Sequence, residues 1–218
     1  MLKDERTAQD GGFFLGLSGK SVPAARAAAR TGRASCGSGG FSLVELMVVI
    51  SITAILLAFA IPAFSNIIAQ NELAVASNAA RGALMVARET AVAKGNSVSL
   101  CAGEPENGCS GDWSGGQWLV FRDSNHSGDL DAGEAVIQHG IVPGAGQAVS
   151  IEGNGPLRSA LVYMPLGHAE RVSGAFGAGR LRICVESAVV PNARELVISA
   201  TGRVRIQRVD FGGACPSL

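Results

Sequence analysis

Between Leu46 and Asn71 the chain carries no charged side chain. The centre of that stretch reads LMVVISITAILLAFAIPAF. A helix needs about 20 apolar residues to cross a bilayer, and this run supplies them. The competing explanation is a core helix covered by protein on every side. Membrane insertion is the working expectation, and it constrains everything on either flank.

The flanks differ in charge. Residues 1–40 hold Lys3, Arg6, Lys20, Arg26, Arg30 and Arg33 against Asp4, Glu5 and Asp10, a net of +3. Basic residues just before a membrane helix stay on the cytoplasmic side, so the C-terminal part is expected outside the cytoplasm. The small residues Gly37-Ser38-Gly39-Gly40 precede the apolar run. A secretory signal peptide places them after it.

Residues 41–94 are predicted to form one helix about 80 Å long. Residues 41–64 are its transmembrane part, where Pro62 removes a backbone donor and is expected to kink it. Residues 65–94 are its amphipathic half. Leu73, Ala76, Ala80, Leu84, Ala87 and Ala91 recur at three- and four-residue spacing on one face, with Asn71, Asn78, Arg81, Arg88 and Glu89 largely opposite. Lys94-Gly95-Asn96 is the predicted stop.

Residues 95–218 alternate short β-type runs with turns. The predicted strands are 98–101, 117–121, 135–138, 149–152, 161–164, 181–185, 195–199 and 203–208, the last two joined by Ala200-Thr201-Gly202. Only 5% of residues are aromatic and 29 are Gly, which suits a loop-rich β domain. The total charge of zero argues against a wholly basic nucleic-acid binder or an acidic tail.

Gly40-Phe41-Ser42-Leu43-Val44-Glu45 opens the apolar run. A carboxylate at the start of a membrane helix costs a few kcal/mol and needs a partner. Cleavage after Gly40 would place a new amine on Phe41 about one turn from Glu45, in its own or a neighbouring subunit. This motif, with Pro62 further along, closely resembles the type IV pilin family. The resemblance implies cleavage between Gly40 and Phe41 by a prepilin peptidase and N-methylation of Phe41. It further implies assembly with other pilins or pseudopilins through the helix, with Glu45 setting register.

Ser99-Leu100-Cys101, Cys109, Trp113, Gly116 to Asp123, and Thr201 to Arg205 look like the GspH/FimT group of minor pilins and pseudopilins. A leader of forty residues, 1–40, is long for that group. The implied fold is α+β: a pilin-like lollipop whose long N-terminal helix packs on a β-rich, two-sheet domain. The implied location is the bacterial inner membrane, single-pass with a periplasmic C-terminal domain, and then a pilus or pseudopilus. One implied role is a structural subunit of a type IV pilus or of a type II secretion pseudopilus, in its initiation or tip complex. The other is a DNA-binding pilin.

Five cysteines are an odd number, but removing the leader removes Cys36. Cys101, Cys109, Cys184 and Cys215 remain. In an oxidising compartment four cysteines suggest two disulfides, with three possible connectivities. Local closure favours Cys101–Cys109, leaving Cys184–Cys215. The eight-residue step without a CxxC pair fits a structural zinc site poorly.

Two surface features bear on ligands. Asp123, Asn125, Ser127, Asp129, Asp131 and Glu134 match the twelve-residue EF-hand spacing, with Gly128 at position 6, so Ca²⁺ is one expectation. The flanks read as strands, so a polar hairpin loop with Asp and Asn capping turns is the other. From Arg180 onward there are six Arg and three acids; between Leu100 and Gly140 there are seven acids and only Arg122. Val204 and Ile206 are expected inward, so Arg203 and Arg205 share the outer face and Arg208 follows near the strand end. Gly202-Arg203-Val204-Arg205 looks like the tail motif associated with DNA capture in FimT-like pilins. Such a ribbon can engage phosphates, or simply keep an edge strand from pairing with another sheet. The histidines, His126, His139 and His168, fall in no catalytic motif, and no enzyme centre is read.

Overall fold

The computed structural model describes residues 40–218. The expected leader and Cys36 fall on residues 1–39 or their junction with Gly40, outside the described part. Residues 44–218 form one compact unit.

Helix α1 runs from Leu43 to Lys94. It continues through Pro62 rather than ending there. Its two halves have opposite surroundings. From Phe41 to Ile61, and again from Ala63 to Ile68, every residue is exposed although nearly all are apolar. Burial begins at Ala69 and then follows the predicted stripe: Leu73, Ala76, Ala80, Leu84, Ala87 and Ala91 are all buried. Arg88, read as polar-face, is half-buried, and its Nε donates to the Gly167 carbonyl at 2.8 Å. α1 stops at Gly95, which takes φ +64 and returns its amide to Ala91 at 3.0 Å. Without a Cβ, glycine adopts that left-handed geometry at little cost.

Ten strands follow: β1 (Val98–Glu104), β2 (Gly108–Cys109), β3 (Gln117–Arg122), β4 (Val136–Ile141), β5 (Ser150–Gly153), β6 (Ala160–Tyr163), β7 (Ala169–Arg171), β8 (Gly179–Cys184), β9 (Ala193–Ile198) and β10 (Val204–Val209). All eight predicted strands are present with shifted ends. β2 and β7, two and three residues long, were not predicted. The strands form two antiparallel sheets, one ordered β4-β3-β1-β6-β7 with β2 beside β1, the other β10-β9-β8-β5.

One core unites both sheets with the lower half of α1. Val98, Leu100 and Ala102 of β1, Trp118 and Val120 of β3, and Leu161 and Tyr163 of β6 join it from the first sheet. Ile151, Leu181, Ile183, Leu196 and Ile198 join it from the second. The alternate residues of the first sheet make a smaller cluster on its other face: Cys101, Leu119, Phe121 and Ala160, with Leu130 and Cys109 packed over them. Alternation of side chains along a strand is what lets one sheet serve two clusters.

Candidate functional site

In the exposed half of α1, side-chain hydroxyls bond back to the helix itself. Ser51 Oγ donates to the Met47 carbonyl at 2.7 Å and Thr53 Oγ1 to the Val49 carbonyl at 2.5 Å. Such back-bonds satisfy a hydroxyl without water or a second chain. Glu45 lies in the first turn, where the positive end of the helix dipole favours a carboxylate. Phe41 is exposed just before it. The helix is long and apolar enough to cross a membrane.

Both disulfides join the expected cysteines. Cys101 bonds Cys109, pinning β2 against the end of β1, and Cys184 bonds Cys215. The second bridge holds a tail that the sequence reading did not place. Residues 210–218 run over the outer face of the second sheet. Arg182 Nη1 donates to the Pro216 carbonyl at 2.6 Å, and its guanidinium lies 4.4 Å from the centre of the Phe211 ring. Leu218 N donates to Glu152 Oε2 at 2.8 Å, and Arg158 Nη2 donates to the Leu218 carbonyl at 2.9 Å. Under the tail, Arg182 pairs with buried Glu195. Neither residue stands out in the sequence, because they become neighbours only when β8 pairs with β9.

The loop between β3 and β4 keeps the EF-like residues but directs their oxygens to its own chain. Asp123 is fully buried. Its carboxylate accepts from Ser99 Oγ at 2.6 Å, from the Ser127 amide at 3.0 Å and from the Gly128 amide at 3.0 Å. Glu134 accepts from the Ser124 and Asp131 amides. Asp131 Oδ2 accepts from Asn125 Nδ2 and Ser127 Oγ. Those two bonds hold the Asp131 carboxyl below the ordinary carboxylate range. Asp129 is exposed; its carbonyl accepts from Ser127 Oγ at 3.1 Å and its amide donates to that oxygen at 3.2 Å. Among the described residues no three His, Cys, Asp or Glu side chains gather as a metal group. As it stands, the segment is a hairpin loop closed by hydrogen bonds within its own chain.

The arginine ribbon divides between two faces. β10 is an edge strand, and Val204 and Ile206 pack toward the core as expected. Arg203 and Arg205 are exposed. Arg205 shares the outer face with Arg180, two strands away in the register Arg205–Val197–Arg180. Arg208 falls in phase with Val204 and Ile206. It therefore belongs to the opposite face, beside Asn66, Ile67 and Gln70 of α1. The histidines form no cluster: His126 Nε2 meets Ser97 Oγ at 2.7 Å, His168 Nε2 meets Glu170 Oε1 at 2.9 Å, and His139 is exposed on β4.

Comparison with known proteins places this architecture. The model of the type II transport protein GspH matches residues 76–202, more than half of the chain. The prokaryotic N-terminal methylation motif matches residues 36–61, across Gly40, Phe41 and Glu45. Among solved structures, the chain is similar to the type IV minor pilin FimU of Pseudomonas aeruginosa, at 20% identity and a TM-score of 0.46, over 63% of this chain and 90% of that one. It is also similar to the minor pseudopilin EpsH from the type 2 secretion system of Vibrio cholerae. That similarity is at 10% identity and a TM-score of 0.43, over 63% of this chain and 97% of that one. No curated protein sequence matches it. With the family model covering the lower half of α1 and the strands through β9, and the methylation motif covering the exposed half, the chain belongs to the GspH family of minor pilins and pseudopilins.

Proposed function

We propose that the chain is cut between Gly40 and Phe41 by a prepilin peptidase, methylated on Phe41 and held in the inner membrane by residues 41–64. It then enters a type IV pilus or a type II secretion pseudopilus, in the initiation or tip complex. The observation that carries this reading is the split character of α1. One continuous helix is buried on its own domain from Ala69 onward, while before it the described side chains are exposed, though nearly all apolar. An apolar face that size needs lipid or other helices around it. Glu45 supplies the polar group that a neighbouring Phe41 amine would meet, and the β domain remains outside as a contact surface. Mass analysis of the membrane-extracted protein tests the reading: the N-terminus is Phe41, and Glu45→Ala is still cleaved but absent from sheared filaments. A mature N-terminus elsewhere overturns it.

A second reading, DNA capture, is favoured by Arg203 and Arg205, which stand exposed on an edge strand with Arg180 on the same face. Such arginines bind phosphates without regard to sequence and lose hold as salt rises. Arg203→Ala with Arg205→Ala should release DNA in a low-salt gel shift. Arg208→Ala, on the opposite face, should not.

A further inference from the structure

The level at which α1 leaves the lipid coincides with Arg208, which has no acidic partner among the described residues and faces a second arginine across the strand pair. Counted from Leu46, about 20 residues cover a hydrocarbon core about 30 Å thick and end near Ser65. The headgroup layer beyond it is about 5–8 Å deep, the rise of the next four or five residues. Of those residues Asn66, Ile67 and Gln70, with Asn71, line one side of an open groove of about 610 Å³. Val190, Pro191 and Arg208 line the other. Gln70 Nε2 donates to the Pro191 carbonyl at 3.0 Å, which fixes the β8–β9 loop to the helix at this height. Val190 is 71% exposed and Ile67 56%, so both walls of the groove carry exposed apolar surface.

Arg208 stands directly opposite Arg194 in the β9–β10 register. Like charges so placed destabilise a strand pair. Burial and the Arg208 charge together hold the Arg194 pKa below its ordinary value. Arg194 Nη1 donates to Ser77 Oγ at 3.2 Å, but its Nε is buried without a hydrogen-bond partner. Among the described residues neither guanidinium forms an ion pair. Arg208 lines the groove, and an anion bound there offsets the repulsion between the two facing cations.

We propose that this groove seats the phosphate of an anionic phospholipid headgroup, held by Arg208 with Arg194 behind it, while the subunit resides in the membrane. The proposal rests on the membrane-spanning reading of residues 41–64. The full chain, extracted from membranes in mild detergent, is titrated with phosphatidylglycerol or phosphatidylcholine and the retained lipid read by native mass spectrometry. Phosphatidylglycerol is retained in preference. Arg208→Gln weakens its retention about fivefold and Arg194→Gln with Arg208→Gln about twenty-five-fold, near one surface arginine's contribution each. Arg205→Gln, on the other face of β10, retains it as the parent does. Arg208 is exposed, so its single variant reads the site even if the double variant unfolds.

Equal retention of both lipids, unchanged retention by Arg208→Gln, or equal occupancy by soluble glycerol phosphate overturns the headgroup site. So does an Arg208→Gln variant that loses crosslinks to neighbouring pilins while keeping its lipid, since the groove is then a protein contact. Carbonate extraction separates the two readings. A chain that resists carbonate but shows no lipid preference sinks only the headgroup site. A chain stripped by carbonate sinks the membrane anchor and the site together.

Discussion

Arg182 and Glu195 face each other across β8 and β9, and one carboxylate oxygen accepts both Nε at 2.9 Å and Nη2 at 2.8 Å. Both side chains are nearly buried, beneath a tail that Arg182 also holds through the Pro216 carbonyl and the Phe211 ring. Removing one partner of such a pair leaves a buried charge without compensation, at a cost of about 3–5 kcal/mol. Glu195→Ala is therefore expected to lower stability by that order in denaturant titration. It should also open residues 210–218 to limited proteolysis. Unchanged protease resistance would show that the tail is held by its disulfide alone.

The two halves of α1 predict opposite responses to the same substitution. Leu84 is fully buried and Leu56 is 64% exposed. Leu84→Ala should destabilise the domain by about 2–5 kcal/mol, because it opens a cavity between helix and sheet. Leu56→Ala should leave unfolding of the domain in micelles unchanged. Fluorescence of the buried Trp113 and Trp118 reports both.

Cys184 and Cys215 close a separation of 31 residues. Replacing both with Ser should cost about 2–4 kcal/mol, since the unfolded chain regains the freedom of that loop. Peptide mapping without reductant should recover 101–109 and 184–215 linked. Any other pairing contradicts the fold described above.

The loop between β3 and β4 should respond to acid through Asp131. Hydrogen bonds from Asn125 and Ser127 lower its pKa in the folded state. A depressed carboxyl contributes stability above its unfolded value of about 4 and loses it as pH falls through the folded value. The loop should thus be unaffected from neutral pH down to about 4 and loosen only below that. Carboxyl NMR should show Asn125→Ala moving the Asp131 titration upward toward the ordinary value.

Tyr163 buries its hydroxyl without a hydrogen-bond partner, and burial pushes its pKa above the ordinary phenol value. Tyr163→Phe removes an unsatisfied polar group while keeping the ring. Thermal unfolding should rise or hold, because such a group carries a penalty of about 1–3 kcal/mol. A marked fall would mean that the hydroxyl has a partner.

The properties legible in the sequence are those carried by neighbours along the chain. The uncharged run, the 3.6-residue stripe from Leu73 to Ala91, the Gly95 stop and eight of ten strands each rest on local spacing. The Gly40-Phe41 to Glu45 motif is likewise local and pointed to the pilins, while the segments from Ser99 to Asp123 and from Thr201 to Arg205 pointed to the GspH group that the comparisons show. β2 and β7 escaped because two or three residues carry no readable period.

What tertiary structure decided depends on which strands meet. Alternation says that Arg203 and Arg205 oppose Val204 and Ile206, but only the pairing of β10 with β9 brings Arg208 against Arg194. The EF-like spacing describes a ligand list. Only the packed chain buries Asp123 against Ser99 of β1 and brings the Ser127 and Gly128 amides to its carboxylate. The tail over the second sheet joins residues more than thirty positions apart, and no local pattern encodes such a contact. Local periodicity determines what each segment can become, whereas partner choice is a property of the whole packed chain.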